Sequence, residues 1–346
     1  MVTEVLSERD EGALERAAQI IRDGGLVGIP TETVYGLGAS AFNAQACLNI
    51  FKAKGRPSDN PLIVHISTPA AAEQLAYVNE LYYKLAAKFM PGPLTVIMPK
   101  RDIIPSEVTA GLDSVAIRCP VHKTARKIIE LSGVPIAAPS ANKSGMPSPT
   151  TARHVYNDMN GIIPLIIDAG ACDVGVESTV IKITDNSIIV LRPGAITAEM
   201  LRDVCENVTI SSAVLEELKE GESPLSPGMK YKHYAPKASL YLVECDGVDF
   251  ETLVKDKART EKCAVMCYDE EIEVFGGTQG IEILPVGKRE DIKEQTKRLF
   301  DLLRRADDLG VDTIYAHVPD KIGDSLAMYN RMIRACAHRV IGGKNG

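Results

Sequence analysis

What most limits the fold of this chain is a repeated exchange between two spacings of its apolar residues, one helical and one strand-like. After Asp10, the residues Leu14, Ala17, Ala18 and Ile21 recur at helical spacing, and Gly24-Gly25 supplies a left-handed stop. A short apolar run over 26–29 follows directly and reads as a strand. The same exchange predicts helices around 44–51, 81–89 and 124–131, with strands over 62–66, 94–98, 115–118, 134–138 and 165–168. Segments 178–183 and 188–191 read as a hairpin, because Asp185-Asn186 favours a turn between two β-branched runs. Helices alternating with strands specify an α/β fold, and the hairpin mixes antiparallel with parallel pairing in one twisted sheet.

Over 208–236 the rhythm lapses and Gly, Pro, Ser and aromatic residues accumulate, which marks a linker. Beyond it, strands are predicted over 240–243, 263–268, 281–285 and 313–318, with helices over 291–309 and 326–340. The expected layout is a first domain over 1–207, a linker over 208–236 and a smaller, doubly wound α/β domain over 237–346. A length of 346 residues suits two domains.

Lys and Arg total 39 against 46 Asp and Glu, a formal charge of −7. The broad basic field of a dedicated nucleic-acid binder is therefore missing, and any anion site has to be local. The eight cysteines are scattered; only Cys263 and Cys267 are close, in an apolar run that reads as buried thiols rather than metal ligands. Reduced thiols, an acidic start where a signal peptide is basic, and the lack of an apolar run near the roughly 18 residues of a membrane span predict a cytoplasmic protein without membrane attachment.

No P-loop, complete dinucleotide-binding glycine motif or nucleophile elbow occurs. The chemistry-bearing residues lie instead in polar loops placed just after strands, where open α/β sheets bind ligands. The loop 30–38 carries Thr33 and Tyr35 between hydroxyls and glycines, a composition that also suits a plain capped turn. The segment 52–61 brings Lys52, Lys54 and Arg56 beside Asn60 on a proline-stiffened loop, as a polyphosphate site or as a solvated helix end. Small donors gather over 137–148, among them Ser140, Asn142 and Ser148. Arg118 ends an apolar strand, so it pairs with a protein carboxylate or awaits an anionic ligand. His65 reads by itself as a satisfied core histidine as readily as a ligand.

Taken in order, the motifs P-T-E-T-V-Y-G-L-G, K-A-K-G-R-P-x-x-N-P-L, P-G-P-L-T, A-I-R-x-P, A-P-S-A-N-x-S-G and E-S-T-V over about 10–205 resemble the YrdC-like domain of the threonylcarbamoyl-AMP synthase family. The tail, with the run 226–236, resembles that family's longer, two-domain branch. The resemblance implies a YrdC-like twisted open mixed sheet followed by a smaller Rossmann-like α/β domain. It also implies a nucleotidyltransferase that condenses L-threonine, bicarbonate and ATP to threonylcarbamoyl-AMP and pyrophosphate, the first half of making N6-threonylcarbamoyladenosine in tRNA. Positioning and charge stabilisation suffice for such chemistry, so no covalent catalytic residue is implied.

By the same resemblance, Thr33, His65, Arg118, Ala138 and Ser178 would hold threonine and its carboxylated form. Arg56, Asn60, Ser114, Ser140, Ser148 and Arg192 would hold ATP, and the Pro-Gly-aromatic makeup of the linker adds Tyr231 as a residue that covers the nucleotide. Lys52 or Lys54 would add field at the phosphates, with Tyr35 and Asn142 in support. Mg²⁺ is expected on phosphate oxygens and water, without a protein ligand. Tyr231 and the linker would cover the nucleotide as a lid. The product would pass to a tRNA threonylcarbamoyl transferase complex, with weak direct tRNA contact at most. Two other classes stay open on residue types alone: an RNA-binding module seated on Lys52, Lys54, Arg56 and Lys143, and an ATP sensor without turnover. The role of the C-terminal domain and the oligomeric state are not read from the sequence.

Overall fold

The computed structural model describes residues 2–215, 233–244 and 249–342. The chain divides into two compact units, one of Met1–Ser144 with Ser148–Lys230 and one of Gly145–Pro147 with Tyr231–Gly346. Tyr231 and most of the segment expected as a lid lie outside the described residues.

The first unit carries strands β1 (Glu4–Ser7), β2 (Val27–Ile29), β3 (Gly36–Ser40), β4 (Ile63–His65), β5 (Leu94–Pro99), β6 (Ser114–Arg118), β7 (Ile136–Ala137), β8 (Leu165–Asp168), β9 (Thr179–Ile183), β10 (Ile188–Arg192) and β11 (Val208–Ile210). They form one mixed sheet in the order β1-β8-β2-β3-β7-β4-β6-β5-β9-β10-β11. Its helices are α1 (Ala13–Arg22), α2 (Ala44–Lys54), α3 (Glu80–Phe89), α4 (Ser106–Thr109), α5 (Lys123–Ser132), α6 (Ala152–Met159) and α7 (Ala198–Arg202). β11 pairs in parallel with β10 and carries this sheet to Ile210.

Strand alternation decides what each face buries. Val64, Val96, Ile117 and Ile181 point into the main core, which α2, α3, α4 and α6 cover with residues such as Ile50, Leu85, Val108 and Val155. On the other face, α1 and α5 lay Ala17, Ile21, Ile128 and Ile129 over Val27, Ile136 and Ile167. Farther along that second face, Ile63, Ile97, Ala116, Val180 and Leu191 form a separate small cluster. The polar row described below continues the strands of this small cluster.

The second unit is a parallel sheet in the order β14-β13-β15-β12-β16. Its elements are β12 (Ser239–Val243), α8 (Phe250–Lys257), β13 (Cys263–Tyr268), α9 (Ile272–Phe275), β14 (Ile281–Gly287), α10 (Ile292–Leu309), β15 (Thr313–His317), α11 (Ser325–Ala335) and β16 (Val340–Ile341). Cys263, Val265 and Cys267 pack with Phe250, Val254 and Phe275 on one face. The alternate residues Ala264 and Met266 are buried too, as a parallel sheet covered on both sides requires. The helix expected over 326–340 ends at Ala335, and a short strand follows. No helix among the described residues is long and apolar enough to cross a membrane.

Candidate active site

Three strands that the chain order keeps apart are set side by side by register. His65 at the end of β4 pairs with Arg118 at the end of β6, and Arg118 pairs on its other side with Thr95 of β5. Paired residues share a face, so His65, Arg118 and Thr95 stand in one row, two residues beyond Ile63, Ala116 and Ile97 of the small apolar cluster. The sheet thus carries apolar packing up to the last rung and polar groups on it.

Arg118 meets Glu32, from the loop after β2, in an ion pair of 2.7 Å, with both side chains only 4% exposed. The contact is off the axis of a good hydrogen bond: neither Glu32 oxygen, nor Nε or Nη2 of Arg118, has an aligned partner among the described residues. Burial pushes the Glu32 carboxyl up, but the Arg118 guanidinium, together with the nearby backbone N–H groups of Glu32 and Val121, outweighs it and leaves the group below its ordinary value. His65 is neutral: burial first, and the Arg118 charge second, push it down to about 3, and its Nδ1 lies 3.2 Å from the Ile63 carbonyl. Of the two possibilities for Arg118, the structure takes the carboxylate partner, and leaves part of the guanidinium unmet.

The row extends through Ser178, whose Oγ lies 2.7 Å from Thr95 Oγ1. Arg192 donates from Nε to the Ser178 carbonyl at 3.1 Å and from Nη2 to Ser178 Oγ at 3.2 Å. Simple alternation would turn Arg192 away from Leu191, onto the main-core face. A bulge between Val190 and Arg192 sets Arg192 opposite Val180, so both Leu191 and Arg192 face the row. The chain then closes tightly, since a Cβ on Gly194 would collide with the backbone nitrogen of Thr179.

The surrounding loops are cross-tied. Thr31 Oγ1 donates to the Val34 carbonyl at 2.6 Å and lies 2.9 Å from Thr33 Oγ1. Tyr35 donates its hydroxyl to the Gly170 carbonyl at 2.7 Å and accepts from the Ala169 N–H at 3.1 Å, so it fixes the loop after β8. Asn43 caps α2 by accepting from the Ala46 N–H, and Gly55, at φ 62°, ends the helix after Lys54. Lys54 is turned inward and donates to the carbonyls of Ser140 and Asn142 at 2.5 and 2.6 Å. Its ammonium therefore holds the 140–142 loop, whereas Lys52 is exposed. Arg56 donates to the Asn60 carbonyl at 2.9 Å, and the fully buried Asn60 amide has no hydrogen-bond partner at either atom among the described residues.

Ser148 donates to Glu177 Oε1 at 2.5 Å. Ala138 gives its N–H to the Ile63 carbonyl at 2.9 Å, beside the row. Ser114 begins β6, four positions from Arg118 on the same face, on the order of 13 Å along the strand. The register, ion pair and hydrogen bonds thus join His65, Arg118, Ser178 and Arg192, with Ala138 beside them; Lys54 ties Ser140 to Asn142, while Ser114 and Lys52 stand apart. Thr95 is not singled out by the sequence, and Glu32 and Glu177 stand there only as members of the polar loops, without a role. Glu32 and Glu177 are the acids of the matched motifs, and an Arg at a strand end needs an acid, which is the signal that could have found Glu32.

The second unit has its own cluster of titratable groups. Glu271 accepts from Arg289 Nη2 at 2.7 Å and the Tyr268 N–H at 3.0 Å, and lies 3.0 Å from His317 Nε2. His317 stacks on Tyr268, and Arg289 lies over that same ring at 4.3 Å. The seven described cysteines are free; burial pushes Cys263 up to about 11 and Cys267 up to about 12. Among the described residues, no three His, Cys, Asp or Glu side chains are grouped to hold a metal.

A family model described as Telomere recombination matches residues 19–194, and one described as Threonylcarbamoyl-AMP synthase, C-terminal domain, matches 196–337. The threonylcarbamoyl-AMP synthase of Pyrococcus abyssi is 43% identical, with 99% of each chain covered. That of Bacillus subtilis is 41% identical, over 98% of this chain and 97% of its own. A solved structure of P. abyssi Sua5 complexed with L-threonine superposes with a TM-score of 0.88 at 42% identity, covering 99% of both chains. Escherichia coli YciO, at 20% identity and a TM-score of 0.50 over 56% of this chain, shares the fold of the first unit. Matched in both of its units and along its whole length, the chain belongs to the threonylcarbamoyl-AMP synthase family, in its two-domain form.

Proposed function

We propose that this chain is a nucleotidyltransferase that condenses L-threonine, bicarbonate and ATP to threonylcarbamoyl-AMP and pyrophosphate, for N6-threonylcarbamoyladenosine in tRNA. The observation that carries the reading is Arg118, a buried cation at the end of a strand with hydrogen-bonding capacity left unmet by the described residues. Such a group recognises a carboxylate.

The chemistry asks for arrangement more than for a nucleophile. The threonine amine attacks the carbon of bicarbonate, water leaves, and a carbamate forms. A carbamate oxygen then attacks the α-phosphorus of ATP as the bond to the β-phosphate oxygen breaks, and pyrophosphate departs. Arg118 would face the α-carboxylate, with neutral His65 beside it. Thr33 and Ser178 would offer hydroxyls, and Ala138 its carbonyl, since its N–H is already given to Ile63. Arg192, bonded to Ser178, would stand between the amino-acid part and the ATP part. Arg56, Asn60, Ser114, Ser140 and Ser148 would hold ATP, and Lys54 would act by fixing the Ser140 loop.

Mg²⁺ would travel on the triphosphate, its ligands phosphate oxygens and water, where it neutralises charge on the departing pyrophosphate. The residues fit that arrangement, because the grouped side chains are donors to phosphate and not metal ligands. The product would pass to a tRNA threonylcarbamoyl transferase complex in the cytoplasm. Exposed Lys52 and Lys143 would give weak tRNA contact at most.

Mass spectrometry of the products from ATP, bicarbonate and a panel of amino acids tests the reading. Threonylcarbamoyl-AMP and pyrophosphate should appear only when threonine and bicarbonate are both present. ATP bound but unconsumed under those conditions would reject turnover.

A further inference from the structure

Charges of both signs lie side by side at the amino-acid end of the site, with valences of both signs unmet. Arg118 Nη2 and Glu32 Oε1 approach to 2.7 Å. Arginine–carboxylate pairs are frequently parallel forks of aligned hydrogen bonds. Here both Glu32 oxygens, and Nε and Nη2 of Arg118, lack an aligned partner among the described residues, although both side chains are buried. His65, the neighbour on β4, is neutral and balances neither charge. Leaving a buried carboxylate and a buried guanidinium under-satisfied is costly, and the cost is met when a ligand supplies donors to the one and acceptors to the other.

A ligand that does both must carry an anion and a cation on neighbouring atoms. An α-amino acid has that form, since its carboxylate and ammonium share one carbon. We infer that Glu32 is a specificity-determining residue, which makes the pocket take a zwitterionic α-amino acid in preference to a simple 2-hydroxy carboxylate. The inference rests on the threonine reading of the site and deepens it. With Glu32 ionised, the pair is neutral and favours a neutral zwitterion; without it, Arg118 is a lone cation that favours any carboxylate. Carboxylation of the amine then removes the positive charge that Glu32 attracts and puts a negative one in its place. The same carboxylate therefore draws in the free amino acid and repels the carbamate from itself.

Calorimetric titration of the full chain with L-threonine, and with 2,3-dihydroxybutanoate in which a hydroxyl replaces the ammonium, tests this. The wild-type chain should prefer threonine. In Glu32→Gln that preference should fall at least about tenfold, through lost threonine affinity, while the hydroxy acid binds as well or better. Glu32→Asp keeps the charge but draws it back by one methylene, and the preference should fall about threefold. ATP affinity should stay within about twofold in both variants, which a general disruption of the fold would not allow. An unchanged preference in Glu32→Gln, or an equal loss for both ligands, would overturn the inference. If Glu32→Gln does not fold, Glu32→Asp decides, and a preference equal to wild type overturns it. A wild-type chain that binds no threonine would sink the threonine reading itself; threonine bound with a preference indifferent to Glu32 would sink the inference alone.

Discussion

His65, Glu32 and Arg118 in the first unit, and His317, Glu271 and Arg289 in the second, are the same three residue types gathered beside the carboxyl ends of sheet strands. In the second unit the glutamate accepts from an arginine and a backbone N–H, and lies within hydrogen-bond distance of the histidine. Its arginine side chain is 58% exposed and rests on a tyrosine ring. In the first unit the arginine and glutamate are both buried, and although they touch, several of their polar atoms have no aligned bond among the described residues. The residue types do not make a site; burial combined with unmet hydrogen-bonding capacity does.

The largest effect that would sharpen this contrast is at the two arginines. Arg118→Ala should lower threonine-dependent pyrophosphate release at least about 100-fold while ATP affinity stays within about threefold, because the buried cation proposed to face the threonine carboxylate is removed. Arg289→Ala should leave both within about twofold, as expected for an exposed ion pair. Steady-state kinetics with each substrate varied separately checks both. Equal losses for threonine and ATP in Arg118→Ala would break the division of the site.

Next is Lys54, which is as buried as Arg118 but spends its ammonium on carbonyls. Lys54→Met should cost about 2–4 kcal/mol of stability, since two carbonyls lose a charged donor, and should weaken ATP binding through the displaced 140–142 loop. Urea unfolding and ATP titration measure the two. A variant as stable as wild type that loses only ATP would instead put the ammonium on the phosphates.

The histidines offer a third contrast, through pH. His65 is pushed down to about 3 in the folded chain, against an ordinary value near 6.5. The unfolded chain therefore binds a proton in that window and the folded one does not, so stability present above about pH 6.5 is lost as pH falls toward 3, by up to about 1.4 kcal/mol per pH unit. His317 is also lowered, by burial, but Glu271 works against the shift. His65→Asn should flatten the fall in stability between pH 6 and 4 more than His317→Asn does. Chemical unfolding at several pH values reads this out, and matching slopes for the two variants would remove the distinction.

The parts of the fold that the sequence discloses are those where a local signal and the packing agree. The apolar face of α1, the glycine stop that follows it and the hairpin of β9 and β10 each carry their own instruction. The strand β3 does not, because Gly36–Ser40 lacks β-branched residues and reads as a loop. It is a strand because β2 and β7 flank it, and its glycines fit because a Cβ at Gly38 would come within 3.0 Å of Ile136. Helix α8 was missed for the opposite reason, with only Phe250 and Val254 buried along it. At the site, the motif loops disclose Arg118, Ser178 and Arg192 as polar groups near strand ends. That Arg118 is met by Glu32, and that a bulge turns Arg192 onto the row, depend on pairings between distant strands and on a break in alternation. No local pattern encodes either.

The smallest expected effect is the most discriminating, because it separates a hydroxyl that serves a ligand from one that serves the fold. Thr95 is fully buried and its hydroxyl lies 2.7 Å from Ser178 Oγ, which also accepts from Arg192. With Arg192 donating, Thr95 decides whether Ser178 spends its own proton on the protein or keeps it for a ligand. Thr95→Val keeps the shape and removes that choice, so the KM for threonine should rise about fivefold, the equivalent of one neutral hydrogen bond, with the KM for ATP unchanged. In the second unit, Tyr315→Phe removes a hydroxyl that donates to Glu261 and should change stability alone. If Thr95→Val likewise lowers stability while leaving the threonine KM untouched, then the hydroxyl pair belongs to the packing of β5 against β9, and the ligand row ends at Arg118.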